Sequence, residues 1–185
     1  MPAIAKTSDE EILQAARALI EREGVANLSM QAVAEAVGIR APSLYKRFAD
    51  RATLLSAVER ESFVTIRRVL ERASASGTPR QALDEMARAY RRFAKGHPRL
   101  YEMLFSRSAP GGTDADRARA EASEPVLARM TELVGEDKAL ASTRVMNAFV
   151  HGFVSMENAG AFKLGPGVDD AFALGIATFL RSLTT

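Results

Sequence analysis

Ser29 to Phe48, SMQAVAEAVGIRAPSLYKRF, reads as two short helices joined by a tight turn. Ser29 suits the cap of the first. Its hydroxyl accepts a hydrogen bond from an early backbone N–H that has no partner inside the helix. Met30, Val33, Ala34 and Val37 then recur at helical spacing. Gly38 falls where the chain must turn left-handed, a conformation glycine adopts without steric cost. Ile39 returns to the core, and Pro42 fits the first turn of a second helix, where its missing N–H costs nothing. Leu44 and Phe48 face inward, which leaves Ala41, Ser43, Tyr45, Lys46 and Arg47 towards solvent. A side chain larger than Ala34 would push the two helices apart. This is a helix-turn-helix pattern, with the second helix offered to a DNA major groove. By geometry alone, a plain helical hairpin with a solvated polar face reads the same way.

Charge separates the two readings better than pattern does. The chain of 185 residues carries a net charge of only +2, so bulk charge does not argue for nucleic acid. Its distribution does: Ser8 to Val37 has a net charge of −4, and Gly38 to Arg51 one of +3. The cations Arg40, Lys46, Arg47 and Arg51 thus gather on the outward helix and its flanks. Neutralising phosphates there would release counterions and make affinity fall with salt.

Composition excludes other classes. With no cysteine there is neither a disulfide framework nor thiol chemistry. No apolar run reaches the ~18 residues of a membrane span. The start, MPAIAKTSDEEI, turns acidic at once and is not a signal peptide, so a cytoplasmic location is expected. Two histidines and no Gly-rich phosphate loop argue against an enzyme. His151 and Glu157, six apart, miss the spacing that aligns two ligands on one helical face, so no metal and no cofactor are expected.

The rest of the chain reads as helix throughout. Met1 to Lys6 is a frayed arm, and Ser8 with Glu11 forms a capping box for a helix that Gly24 ends. Asp50 caps a helix running to about Ser74, ~36 Å long at 1.5 Å per residue and a candidate link between two domains. Helices follow from about Gln81 to Lys95, from Pro98 through Phe105, and from Asp114 to Val134, the last with a kink or break at Pro125. APGGT, 109–113, is the most flexible interior stretch. Two apolar helices, about Lys138 to Phe162 and Asp169 to Leu183, end the chain. A terminal pair this apolar asks for a partner surface, which a second copy would supply as a four-helix bundle. The fold class is all-α: a three-helix head, residues 1–52, joined by the long helix to a ligand-binding and dimerisation bundle, residues 53–185.

GIRAPSLYKRFADRATLL resembles the DNA-binding core of the tetracycline-repressor-like (TetR) family of bacterial regulators. The matching positions are Gly38, Ile39, Ser43, Leu44, Tyr45, Phe48 and Arg51, and the likeness extends from about Thr7 to Val58. Arg51 stands where the family more often has Lys, and Ala49 where Pro is frequent. FAKGHPRLYEMLF and RVMNAFVHGFVSMENAG resemble a C-terminal domain type of this family named after a Trp-His-Gly signature. His151 and Gly152 match it, while Asn147 replaces the Trp.

The resemblance implies a homodimeric, ligand-responsive regulator, in the first instance a repressor, that grips a palindromic double-stranded operator. It places Ser29, Ser43, Tyr45, Lys46 and Arg51 at DNA. By chemistry Ser29, Arg40, Arg51 and the Tyr45 hydroxyl suit phosphates; Pro42 and Ser43 suit base edges or a thymine methyl; Lys46 or Arg47 suits guanine O6/N7. A small, largely apolar effector would sit between helices of the second domain, against Met86, Tyr90, Phe93, Tyr101, Phe105, Asn147, His151 and Met156. Most of these are equally plain core residues. The alternative is an apolar-ligand or scaffolding protein with a vestigial head.

Overall fold

The computed structural model describes residues 7–106 and 113–183, within which ten α-helices and one 3-10 turn occur and no strand. The expected all-α class holds. The helices are α1 (Asp9–Glu23), α2 (Met30–Ala36), α3 (Ala41–Tyr45), α4 (Arg51–Ala73), α5 (Pro79–Gly96), α6 (Pro98–Phe105), α7 (Thr113–Ala122), α8 (Glu124–Val134), α9 (Glu136–Asn158) and α10 (Val168–Ser182). The arm Met1–Lys6 and most of the APGGT stretch lie outside the described residues. By packing, the chain divides into the described residues of Met1–Phe63 with His97–Ala118, and those of Val64–Gly96 with Arg119–Thr185.

In the first unit α1 opens on the expected capping box: Ser8 Oγ accepts from the Glu11 N–H at 3.1 Å, and the Glu11 carboxylate accepts from the Ser8 N–H at 2.7 Å. Ile12, Leu13, Ala16, Leu19 and Ile20 bury one face of the helix. Gly24, at φ +85°, ends it, and a 3-10 turn over Val25–Asn27 leads to α2. By packing this unit is larger than the 1–52 segment expected to bind DNA. It runs to Phe63 and takes in α6, which lies on α1. The Glu21 carboxylate holds that helix by accepting from the backbone N–H groups of Arg99 at 3.2 Å and Leu100 at 3.1 Å. A carboxylate at a helix start satisfies N–H groups that have no partner in the helix and complements its dipole.

The second unit is a bundle of α5, α8, α9 and α10. Ala139, Thr143, Met146, Val150 and Val154 of α9, and Phe172, Ile176 and Leu180 of α10, are buried at steps of three and four. Such a step returns a side chain to the same face of a helix. Met86 and Met130 are among the most deeply buried side chains of α5 and α8. The break at Pro125 is present as Ser123, between α7 and α8. One boundary differs: α9 stops at Asn158, not near Phe162. Gly160, at φ +62°, turns the chain. Its N–H reaches the Glu157 carbonyl and the Ala161 N–H reaches the Met156 carbonyl, both at 2.9 Å. This pair of bonds closes a helix end and consumes its last carbonyls.

Candidate nucleic-acid interface and effector site

The turn between α2 and α3 is closed by the same device. Gly38 sits at φ +69°, its N–H donating to Glu35 O at 3.1 Å while the Ile39 N–H donates to Ala34 O at 2.9 Å. Ser29 Oγ caps α2 by accepting from the Ala32 N–H at 3.1 Å. Its own hydroxyl proton remains to be donated. Ala34 is buried to 1% exposure, so the backbones of α2 and α3 come close.

α3 is short, and Leu44 at 0% and Phe48 at 7% exposure anchor it. Arg40, Pro42, Ser43, Tyr45 and Lys46 are exposed on the other side, Tyr45 to 51%. Next to them Asp50 caps α4, accepting from the Thr53 N–H at 2.7 Å. That bond holds the Asp50 carboxyl below the usual carboxylate range.

Two cations behave differently from the outward set. Arg47, expected towards solvent, is half-buried. It donates from Nη1 to Thr7 O at 2.6 Å and pairs with Asp9 through Nε at 3.1 Å. The physical reason is spacing. Arg47 is three residues past Leu44, and an interval of three returns to the inward face. Arg51 donates from Nε to Leu28 O at 2.8 Å and from Nη2 to Val25 O. Reading the sequence missed both bonds; the interval from Leu44 was the available signal for the first, while the second depends on a 3-10 turn with no local signature. Arg40 and Lys46 remain the exposed cations of the segment Gly38–Phe48.

The eight expected effector-site residues are not gathered in one unit. Tyr101 and Phe105, whose rings lie 4.8 Å apart, belong to the first, as does Phe63, 6.0 Å from Phe105. In the second unit Met86 and Phe93 are buried, and Tyr90 and His151 half-buried. Burial pushes the His151 imidazole below its ordinary value. Asn147 and the 49%-exposed Met156 lie on the outer side of α9, one residue past Met146 and two past Val154 of its buried stripe. Glu157 faces cations. It accepts from Nε and Nη2 of Arg91, each at 2.7 Å, and from Lys95 Nζ at 2.7 Å. Arg91 also reaches Asp169 at 2.6 Å and lies over the ring of Phe172, 4.8 Å from its centre. The Arg91 bonds hold the Glu157 carboxyl below the usual range.

Two family descriptions match this sequence. "Bacterial regulatory proteins, tetR family" covers residues 12–58, and "Tetracyclin repressor-like, C-terminal domain" covers residues 83–179. An uncharacterised HTH-type transcriptional regulator of Mycobacterium tuberculosis is 34% identical over 160 residues, which is 84% of this chain and 72% of that protein. The chain belongs to the TetR family. A second relative by sequence, an uncharacterised HTH-type transcriptional regulator of Bacillus subtilis, is 26% identical over 93% of this chain and 90% of its own. Among solved structures, a protein of unknown function from Rhodococcus sp. RHA1 superposes over the full length of both chains with a TM-score of 0.85 at 25% identity. A TetR variant from Acinetobacter baumannii AYE in complex with minocycline gives a TM-score of 0.69 at 20% identity, over 97% of this chain and 100% of that one. That last likeness is one of fold.

As a TetR-family protein the chain is a helix-turn-helix transcriptional regulator, a class of non-enzymes. Among the described residues no three His, Cys, Asp or Glu gather as a metal site would need, and no helix is long and apolar enough to cross a membrane.

Proposed function

We propose that this regulator is a repressor, which binds a palindromic operator as a homodimer and leaves it when a small, largely apolar molecule binds the C-terminal helices. The supporting observation is the exposed row on α3. Arg40, Pro42, Ser43, Tyr45 and Lys46 face out from a helix that Leu44 and Phe48 fix from behind. Residues 1–52 carry the DNA contacts. Pro42 and Ser43 meet base edges or a thymine methyl, and Lys46 reaches guanine O6/N7. Arg40, Tyr45 and Ser29 hold phosphates. Two heads reading successive major grooves require half-sites about 34–36 Å apart.

The effector acts by binding one conformation of the second unit better than another, which is the only way a ligand shifts such an equilibrium. Met86, Phe93, Tyr90 and His151 are its nearest candidates for contact. Minocycline bound by a fold relative supports a small molecule as the effector class, with its identity left to the pocket's own side chains. Selection of duplexes from a random-sequence library by the purified protein tests the reading. A palindromic site bound in a salt-sensitive way, and weakened by Lys46→Ala, supports it. No selected sequence, or full affinity in Lys46→Ala, overturns it and leaves a ligand-binding helical protein with an idle head.

A further inference from the structure

We propose that Arg47 and Arg51 are positioning residues of the DNA-binding head and not phosphate contacts. The inference rests on the DNA-binding reading above. It divides the four cations of Gly38–Arg51 into Arg40 and Lys46, turned outward, and a pair whose donors are held by backbone carbonyls, the half-buried Arg47 and the still exposed Arg51, which together set the angle of the reading helix.

By spacing Arg51 begins an apolar row of α4, although its own side chain stays exposed. Arg51, Leu54, Leu55 and Val58 stand at intervals of three, four and seven, one face of a helix. The last three are buried at 0%, 6% and 0% exposure. Arg51 thus stands just ahead of the buried stripe of α4, and its exposed side chain lays its guanidinium on the turn that precedes α2. Two different nitrogens make the two bonds, Nε to Leu28 O and Nη2 to Val25 O. Leu28 adjoins Ser29, the cap of α2, and is itself buried to 4% exposure. The first turn of α4 and the start of α2 are therefore joined by one rigid fork. Arg47 does the same for α3 and α1: its bonds to Thr7 O and Asp9 tie the end of the reading helix to the entry of the first helix.

A guanidinium carries five N–H donors in a fixed plane and can serve two carbonyls from two nitrogens. An ammonium offers one nitrogen at the end of a flexible stem and cannot hold both in the same geometry. Turning either arginine to a phosphate would strip acceptors of a charged donor, a loss larger than that of a neutral hydrogen bond. The two roles differ in a measurable way. Removing a phosphate contact lowers the slope of log affinity against log salt by about 0.9 per phosphate. Removing a positioning bond lowers only the fraction of heads in the competent arrangement, which weakens binding by one factor at every salt concentration.

The test uses the full-length protein, and as probe a duplex selected by the wild type from a random library, titrated between about 50 and 200 mM KCl. Arg51→Lys and Arg51→Gln are both expected to bind about tenfold more weakly with the wild-type slope, and Arg47→Gln likewise. Arg40→Gln is expected to lower the slope by about 0.9 per half-site, and Lys46→Gln, at a base edge, to weaken binding and relax the sequence selected at that position. If Arg51→Lys binds within about twofold of wild type while Arg51→Gln lowers the slope, Arg51 is a phosphate contact and the proposal is overturned. Should the wild type select no duplex, the DNA-binding reading fails by itself. Amide hydrogen exchange then judges the clamp: faster exchange across residues 25–33 in Arg51→Gln supports it, and unchanged exchange overturns it.

Discussion

Gly38 shows how much one residue can decide. It holds φ +69°, yet a methyl group added there would meet nothing within 4 Å. Gly38→Ala therefore tests backbone strain without a clash, and it should cost about 1–2 kcal/mol, read from the urea midpoint. Because the strain falls on the corner between α2 and α3, operator affinity should drop with it. Glu157 gives a second residue-scale test. Its folded value lies below the ordinary 4.5 because Arg91 donates to the charged form. The stability it contributes is therefore complete above pH about 4.5 and is lost as pH falls through its folded value. Thermal melts should fall below that pH in the wild type and fall less in Glu157→Gln, which starts about 2 kcal/mol weaker at pH 7. At this scale the sequence was legible where periodicity ruled. Leu44 and Phe48 mark the inward side of α3 and leave Tyr45 and Lys46 outside. Arg47 misled because its charge suggested solvent while its interval from Leu44 did not.

Elements were legible where a breaker residue acts alone. Gly24 ends α1, and Pro125 stands in the first turn of α8 just past the break at Ser123, each as its chemistry requires. The end of α9 was not legible, since AFKL after Gly160 keeps an apolar, helix-compatible pattern and only the two closing bonds at Gly160 decide against it. Phe162, expected in the helix, instead lies 4.7 Å ring to ring from Phe153. The α9–α10 pair depends on another glycine. A Cβ at Gly175 would lie 2.2 Å from Cζ of Phe149, whose ring also stacks on Phe172 at 6.0 Å. Gly175→Ala must displace that ring, so a loss of about 1–3 kcal/mol is expected in chemical denaturation. Phe149→Leu in the same chain should recover part of it, because a smaller side chain relieves the overlap.

At the scale of the molecule, Val145 at 54%, Met156 at 49% and Leu174 at 65% exposure leave large apolar side chains on the outer sides of α9 and α10. A homodimer through this face is the proposal that accounts for them. Leu174→Asp would place a charge in that contact. Sedimentation should then report a monomer, and affinity for a palindromic duplex should fall by about a hundredfold or more as the two heads cease to act together. Leu174→Met should behave as wild type in both. The packing of α6 on α1 was the least legible contact of all. The bond between Glu21 and the start of α6 joins residues 78 and 79 apart, and no local pattern announces a contact of that separation.

That return of α6 to α1 bears on anyone who would build chimaeras from this regulator. A head excised after Phe63 would leave behind the Arg99 and Leu100 amides that the Glu21 carboxylate holds, and would lay bare the side of α1 that α6 covers. What has to be transplanted to give a new regulator this specificity is a discontinuous module, in which α6 travels with the reading helix.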